Sequence, residues 1–138
     1  MAGTGYDWDA AWTVDAAATV LTTGGTIVYT SASAISTDSK AACEVSIDAD
    51  YSDHAKATGG LFVYILKDIN ATDYEGILDL PWGFEMPWTI NATNRRSFSV
   101  DCSKVNSFKI YLWWKNTTAS SVATVATSYI FATVPVAS

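Results

Sequence analysis

The chain has 138 residues and a mass of 14.8 kDa, a length typical of one domain. Apolar residues make up 49% of it and aromatic residues 13%, which is enough to build a core and argues against a disordered chain. Eight Lys and Arg against fourteen Asp and Glu give a net charge of −6, which argues against a nucleic-acid groove and an anionic membrane surface.

The N-terminal residues, from Met1 to Asp9, lack the basic and apolar regions of a secretory signal. No apolar run in the sequence reaches the roughly 20 residues of a membrane-spanning helix. We therefore expect a soluble protein that is not exported by the usual route, with an N-terminal arm over residues 1–9 and one domain over residues 10–138. Cys43 and Cys102 lie in separate apolar-alternating segments without Cys-x-x-Cys spacing, and we expect buried free thiols rather than a disulfide.

Few charges and many Thr, Ser and Ala residues favour strands over helices. A first strand is predicted near residues 10–14, anchored by Trp8 and Trp12. The pair Gly24-Gly25 predicts a turn, after which Thr26–Thr30 has the composition of a short strand.

The segment Cys43–Asp50 alternates strictly between apolar and polar residues. This period of two predicts a strand with one buried face, and it places Asp48 and Asp50 together at a solvated edge. Leu61–Leu66 is apolar on both faces and follows a Gly-Gly pair, which predicts a central strand entered from a turn. We expect the core to be built around this strand.

The connection over residues 68–86 is the least regular part of the sequence and holds five carboxylates. Connections of this length in small domains are usually functional or packed over the sheet. A short strand is predicted near Ile77–Leu80, followed by the aromatic cluster Trp82, Phe84 and Trp88. These rings either cap the open end of the core or form a contact patch for another subunit or a sugar.

Three further segments show the strand pattern, namely Ser97–Asp101, Ser107–Lys115 and Ser121–Phe131. In the second segment the residues predicted to face the core are Phe108, Ile110, Leu112 and Trp114. Tyr111 and Trp113 lie on its opposite face, which we also expect to be partly covered or used. About eight short strands and no helical period predict an all-β fold, a single-domain antiparallel β-sandwich, of which the jelly roll is one type.

Catalytic motifs are absent from the sequence. The one histidine, His54, lies beside Asp53 in a polar turn, and no Gly-x-Ser-x-Gly, His-Glu-x-x-His, phosphate-binding or dinucleotide-binding pattern occurs. Calcium is the one cofactor that the acidic residues could suggest, because carboxylates are its usual ligands. However, Asp48–Asp53 lacks the glycine and the later glutamate of an EF-hand loop. We therefore expect no enzymatic activity, no metal site and no cofactor.

After a tryptophan at Trp12 and several strands rich in Thr, Ser and Ala, a series of short patterns follows along the chain. These patterns are Ser46–Asp50, Ala55–Gly60, Val63–Leu66, Asp73–Gly76, Phe98–Val100, Phe108–Leu112 and Lys115–Thr118. In this order the features resemble a family of small β-sandwich virion proteins of tailed bacteriophages, which includes head decoration (cement) and fibre components. The resemblance covers about Trp8 to Phe131. It implies a protein made in the host cytoplasm that assembles on a virion as a symmetric oligomer, without catalysis.

The leading hypothesis is a capsid decoration protein that binds the outer lattice of the major capsid protein, as a homotrimer, with no nucleic acid or membrane as partner. The alternative is a carbohydrate-binding, host-attachment module of a tail fibre or another tail component, in which Tyr111, Trp113 and Trp88 stack on a glycan. An internal head or neck protein also stays open. The interface candidates are Tyr6, Trp8, Trp82, Phe84, Trp88, Tyr111 and Trp113.

Overall fold

The computed structural model describes residues 6–22, 27–30, 34–51, 60–68, 73–74, 81–87, 93–102, 105–115 and 122–134. Within these ranges the chain forms strands and no helix, and so none of these residues belongs to a helix that could cross a membrane. The strands are β1 (Asp7–Trp8), β2 (Thr13–Thr22), β3 (Ile27–Thr30), β4 (Ile35–Ser36), β5 (Ala42–Tyr51), β6 (Leu61–Lys67), β7 (Gly83–Glu85), β8 (Thr93–Val100), β9 (Ser107–Trp114) and β10 (Val122–Thr133).

Two antiparallel sheets are built from these strands. In sheet A, β10 pairs with β5 on one side and with β1 and β2, placed end to end, on the other; β8 pairs with β5 and forms the far edge. In sheet B, β9 pairs with β6 on one side and with β3 and β4 on the other, and β7 pairs with β6. Both sheets therefore have four strand positions across.

The strand pairing is nested along the chain. The long strand β2 pairs with β10, β3 and β4 pair with β9, β5 pairs with β8, and β6 pairs with β7. This arrangement of two antiparallel sheets confirms the predicted all-β sandwich. The jelly-roll type stays a prediction, which the nested pairing favours.

Residues from both sheets contribute to one hydrophobic core. Strand β5 buries every second residue from Cys43 to Tyr51, and β9 buries every second residue from Phe108 to Trp114, as the alternation predicts. Across the core, the Tyr51 ring stacks on the Trp114 ring with 5.9 Å between centroids and 12° between planes. Because these rings belong to different sheets, their contact joins the two layers directly.

The beginning of the chain differs from the prediction. The strand predicted near residues 10–14 is wrong, because β1 ends at Trp8 and β2 begins at Thr13. Trp12 is 46% exposed and Trp8 is 41% exposed, so neither ring anchors the core. Tryptophan is large and apolar, so a sequence pattern suggests that it is buried in the core. Its burial depends on which strand covers it, and in this part of the chain Leu21 of β2 is buried instead.

One further prediction is wrong, and two others concern residues outside the described ranges. Asp48 and Asp50 do not lie at a sheet edge, because β5 has β10 on one side and β8 on the other. In the connection over residues 68–86, the strand that the structure describes is β7, at Gly83–Glu85. The predicted strand near Ile77–Leu80 lies outside the described residues, as does His54.

Candidate functional site

The structure separates the predicted interface residues into three places. Tyr111 and Trp113 lie on the outer face of sheet B, Trp82 and Phe84 lie at one side of the sandwich, and Tyr6 and Trp8 lie on the N-terminal segment beside β10. Trp88 lies outside the described residues. The candidates therefore do not form one patch, and each place has its own surroundings.

The outer face of sheet B carries four aromatic side chains on its two central strands, Phe62, Tyr64, Tyr111 and Trp113, which we call the aromatic face. Phe62 of β6 lies opposite Trp113 of β9, and Tyr64 lies opposite Tyr111, so all four point away from the core. The Phe62 and Tyr64 rings lie 6.5 Å apart, and the Tyr64 and Tyr111 rings meet edge to face at 6.2 Å. Each of the four side chains is half-buried.

Lysine side chains lie against these rings. The Lys115 Nζ lies 4.2 Å from the centroid of the Phe62 ring and 4.0 Å from that of Trp113, which are cation–π distances. Lys109 Nζ lies 4.9 Å from the centroid of the Tyr74 ring at the other end of β9. The aromatic face is therefore bordered by Lys109 and Lys115 and by one carboxylate, Glu85, which lies opposite Phe62 in the strand register.

At the edge of sheet B, the aromatic face reaches the backbone of β7. A Cβ atom on Gly83 would collide with the Tyr64 ring and would lie 2.6 Å from the Val63 carbonyl oxygen. Glycine is therefore required at this position, because it lets the tyrosine ring lie flat across the edge strand. This close approach extends the aromatic surface from β9 across β6 to β7.

A second aromatic group, the side cluster, consists of Trp82, Phe84 and Phe98. The Trp82 ring lies 5.6 Å from Phe84 and 5.1 Å from Phe98, and the two phenylalanine rings meet edge to face at 5.3 Å. Phe84 and Phe98 pack against the core, whereas Trp82 is 51% exposed. Because Phe84 belongs to sheet B and Phe98 to sheet A, the cluster closes the gap between the two sheet edges. This placement supports the interpretation that the rings cap the core.

The N-terminal candidates are exposed. Tyr6 and Trp8 meet edge to face at 6.5 Å, and Tyr6 is 55% exposed. Asp7 and Trp8 nevertheless pair with Thr133 and Ala132 of β10, so this part of the segment is ordered by the protein's own sheet. It needs no partner to become a strand.

The outer face of sheet A is polar along β5 and β8, whereas on β2 it exposes Val14 and Val20. Its three carboxylates on β5 all accept hydrogen bonds from β8: Glu44 from Ser99, Asp48 from Arg95, and Asp50 from Thr93. Each acceptor lies directly opposite its donor in the strand register. Cross-strand pairs of this kind stabilise a solvated sheet face. The two outer faces of the sandwich therefore differ strongly in chemistry.

Potential metal ligands are scattered over the described residues. No group of three or more His, Cys, Asp or Glu side chains among them could hold a metal ion. A polar cleft of about 570 Å³ at one end of the sandwich is lined by residues that include Asp38, Lys40, Asp68 and Cys102. Burial raises the pKa of the Cys102 thiol, with a smaller contribution from Asp101, so this thiol is a weak nucleophile near neutral pH.

Comparison with protein-family models and with curated proteins finds no match for this chain. The candidate site therefore rests on the contacts and distances within this chain.

Both cysteines are free, as predicted. Cys43 is buried, which was also predicted, whereas Cys102 is half-buried. Burial raises the pKa of Cys43 from 9.0 to about 12, with smaller contributions from Cys102 and Glu44. Above pH 9.0 the unfolded chain releases this proton while the folded chain retains it, so the free energy of unfolding falls with rising pH.

We expect the free energy of unfolding, measured in urea, to fall between about pH 8 and about pH 10.5, with roughly 1–2 kcal/mol of the loss due to Cys43. The variant Cys43→Ala lacks the titrating thiol and is expected to lose less over the same range. An identical pH dependence in the two proteins would contradict the assignment.

Proposed function

We propose that this protein is a non-enzymatic structural protein of a bacteriophage virion, a capsid decoration protein that binds the outer lattice of the major capsid protein. The aromatic face carries the proposal. The outer face of sheet A is polar along β5 and β8, with the β5 carboxylates hydrogen-bonded, while that of sheet B presents Phe62, Tyr64, Tyr111 and Trp113. A sheet face that presents four aromatic rings has the composition of a protein–protein interface rather than of a solvated surface.

The proposal includes a homotrimer that is made in the host cytoplasm and located on the virion. The net charge of −6 supports a protein that stays dissolved until assembly, because like-charged molecules repel one another, and the symmetric oligomer is what the resemblance implies. The nested antiparallel sandwich is also the architecture that the resemblance to phage virion proteins implies. Neither nucleic acid nor a membrane is a partner in this proposal.

The alternative is a carbohydrate-binding module in a tail component, with Tyr111 and Trp113 as stacking surfaces for a glycan. The position of Lys115 disfavours this use of the aromatic face, because its ammonium group already lies over the Trp113 and Phe62 rings. A sugar ring stacking there would have to displace two cation–π contacts. A flat protein surface can instead pack around the lysine, on the exposed parts of the rings.

Binding of purified protein to undecorated heads of the source virus, measured by co-sedimentation, tests the proposal. We expect the double variant Phe62→Thr/Tyr111→Thr to bind at least about thirtyfold more weakly, because each change removes an interface ring that costs roughly 2 kcal/mol when it is a hot spot. Threonine keeps the strand propensity, so the fold should survive.

The matched control is Ile130→Thr, which makes the same kind of change on the outer face of sheet A, opposite Glu44. This variant should bind heads as the parent protein does. Parent-like binding by the double variant, with its fold verified by circular dichroism, would exclude the aromatic face as the contact. Failure of the parent protein to bind heads would overturn the decoration role.

A further inference from the structure

The polar outer face of sheet A contains a groove of about 350 Å³ that is lined by Trp12, Ser46, Asp48, Arg95, Ser97 and Ser128. This groove lies on the side of the sandwich opposite the aromatic face. It brings one tryptophan ring, one ion pair and three hydroxyl groups together on a surface formed mainly by β5, β8 and β10.

The floor of the groove is set by the strand register. Ser97 of β8, Ser46 of β5 and Ser128 of β10 lie side by side in one row across three strands. Three small side chains in a row leave a shallow depression between larger neighbours. Their hydroxyl groups can each donate and accept a hydrogen bond, so the floor is polar without being charged.

The next row supplies a charged pair that is held in a defined geometry. The Arg95 guanidinium donates to Asp48 through Nε at 2.6 Å and through Nη2 at 3.1 Å. The Arg95 side chain is 69% exposed and that of Asp48 is 36% exposed, so the pair is open to a ligand. Guanidinium N–H groups outside the pair can still donate, and carboxylate oxygens can accept a second bond.

Trp12 provides the apolar wall of the groove. Its side chain is 46% exposed and belongs to a short segment between β1 and β2. Trp12 is therefore accessible to a ligand that enters the groove. An indole ring beside paired hydrogen-bond donors and acceptors matches a sugar, which has an apolar C–H face and a rim of hydroxyl groups.

We propose that this groove is a saccharide-binding site, in which a sugar ring stacks on Trp12 and its hydroxyl groups bind the Asp48–Arg95 pair and the serine row. An anionic ligand fits less well, because Asp48 already neutralises Arg95. The site is independent of the proposed capsid contact, since the two outer faces of a sandwich point in opposite directions. A protein docked through sheet B would present the groove to the surroundings.

The test begins with the full chain on an array of bacterial and animal glycans, followed by titration with the best-binding soluble oligosaccharide. The sequence holds six tryptophans, so ¹H–¹⁵N spectra resolve a small set of indole signals, and Trp12→Phe identifies the one from Trp12. We expect saturable binding that shifts the Trp12 indole signal. Trp12→Ala and Asp48→Asn should each weaken binding at least about tenfold.

The control is Trp82→Ala, which removes another exposed tryptophan from the side cluster and should leave the affinity unchanged. Absence of binding to every glycan on the array would overturn the proposal. Binding that survives Trp12→Ala, or that shifts other indole signals and not that of Trp12, would also overturn it. Because this assay uses free protein, its outcome is separate from that of the head-binding experiment.

Discussion

Replacing Trp114 by alanine should lower the free energy of unfolding by about 3–5 kcal/mol, the range for removing a large buried ring from a core. The Trp114 side chain is fully buried at 0% exposure, and its ring stacks on Tyr51 of the opposite sheet. The substitution leaves a cavity between the layers and removes the contact that joins β9 to β5. Urea unfolding followed by circular dichroism measures the loss.

The neighbouring residue provides the control for this prediction. Trp113 has the same side chain one position earlier in β9, but it lies on the aromatic face and is half-buried. Trp113→Ala should therefore cost much less stability than Trp114→Ala while removing a ring that contacts Lys115. Equal losses in the two variants would mean that the assignment of inner and outer faces in sheet B is wrong.

Replacing Gly83 by alanine should lower the free energy of unfolding by about 1–3 kcal/mol, although it adds only one methyl group. The new Cβ would collide with the Tyr64 ring and crowd the Val63 carbonyl oxygen at 2.6 Å. The ring can rotate away, but the carbonyl belongs to the β6 backbone, so the edge strand itself has to shift. Thermal or urea unfolding measures the effect.

A double-mutant cycle with Tyr64→Ala separates the two clashes. Removing the ring should relieve the first of them, so the double variant should lose less stability than the sum of the single losses. The crowding against the Val63 carbonyl oxygen remains, so the relief should be incomplete. A Gly83→Ala variant as stable as the parent protein would show that the β7 backbone does not approach the Val63 carbonyl oxygen this closely.

The strands with a clear period of two are the part of the fold that the sequence predicts well. In β5 and β9, alternation identifies the inward residues from Cys43 to Ala49 and from Phe108 to Trp114, because one buried face imposes that period. The half-buried state of Tyr111 and Trp113 also follows from aromatic residues on both faces of β9. These two strands supply a large part of the core, which is why the sandwich could be predicted.

Other features depend on pairing partners that a sequence pattern does not reveal. Phe62 and Tyr64 belong to an apolar run in which inward and outward residues look alike, and only the pairing with β9 places them on the aromatic face. The one signal in the sequence is the alternation of a strand, which places Phe62 and Tyr64 on the same face, opposite to Leu61, Val63 and Ile65. Strand β7 is three residues long and exists through its pairing with β6, so it has no pattern of its own.

The groove on sheet A illustrates the same limit for function. Ser46, Ser97 and Ser128 are distant in sequence, and the antiparallel register alone brings them into one row. The Asp48–Arg95 pair forms for the same reason, across two strands that are not consecutive in the chain. Trp12 looks like a core anchor in the sequence, and its exposure is visible only in the folded protein.

Cryo-electron microscopy of undecorated heads incubated with the purified protein tests the central claim most directly. The proposal predicts ordered density on the outer lattice, with sheet B and its residues Phe62, Tyr111 and Trp113 against the major capsid protein and sheet A facing outward. Heads that carry no added density, or density in which sheet A faces the lattice, would contradict it.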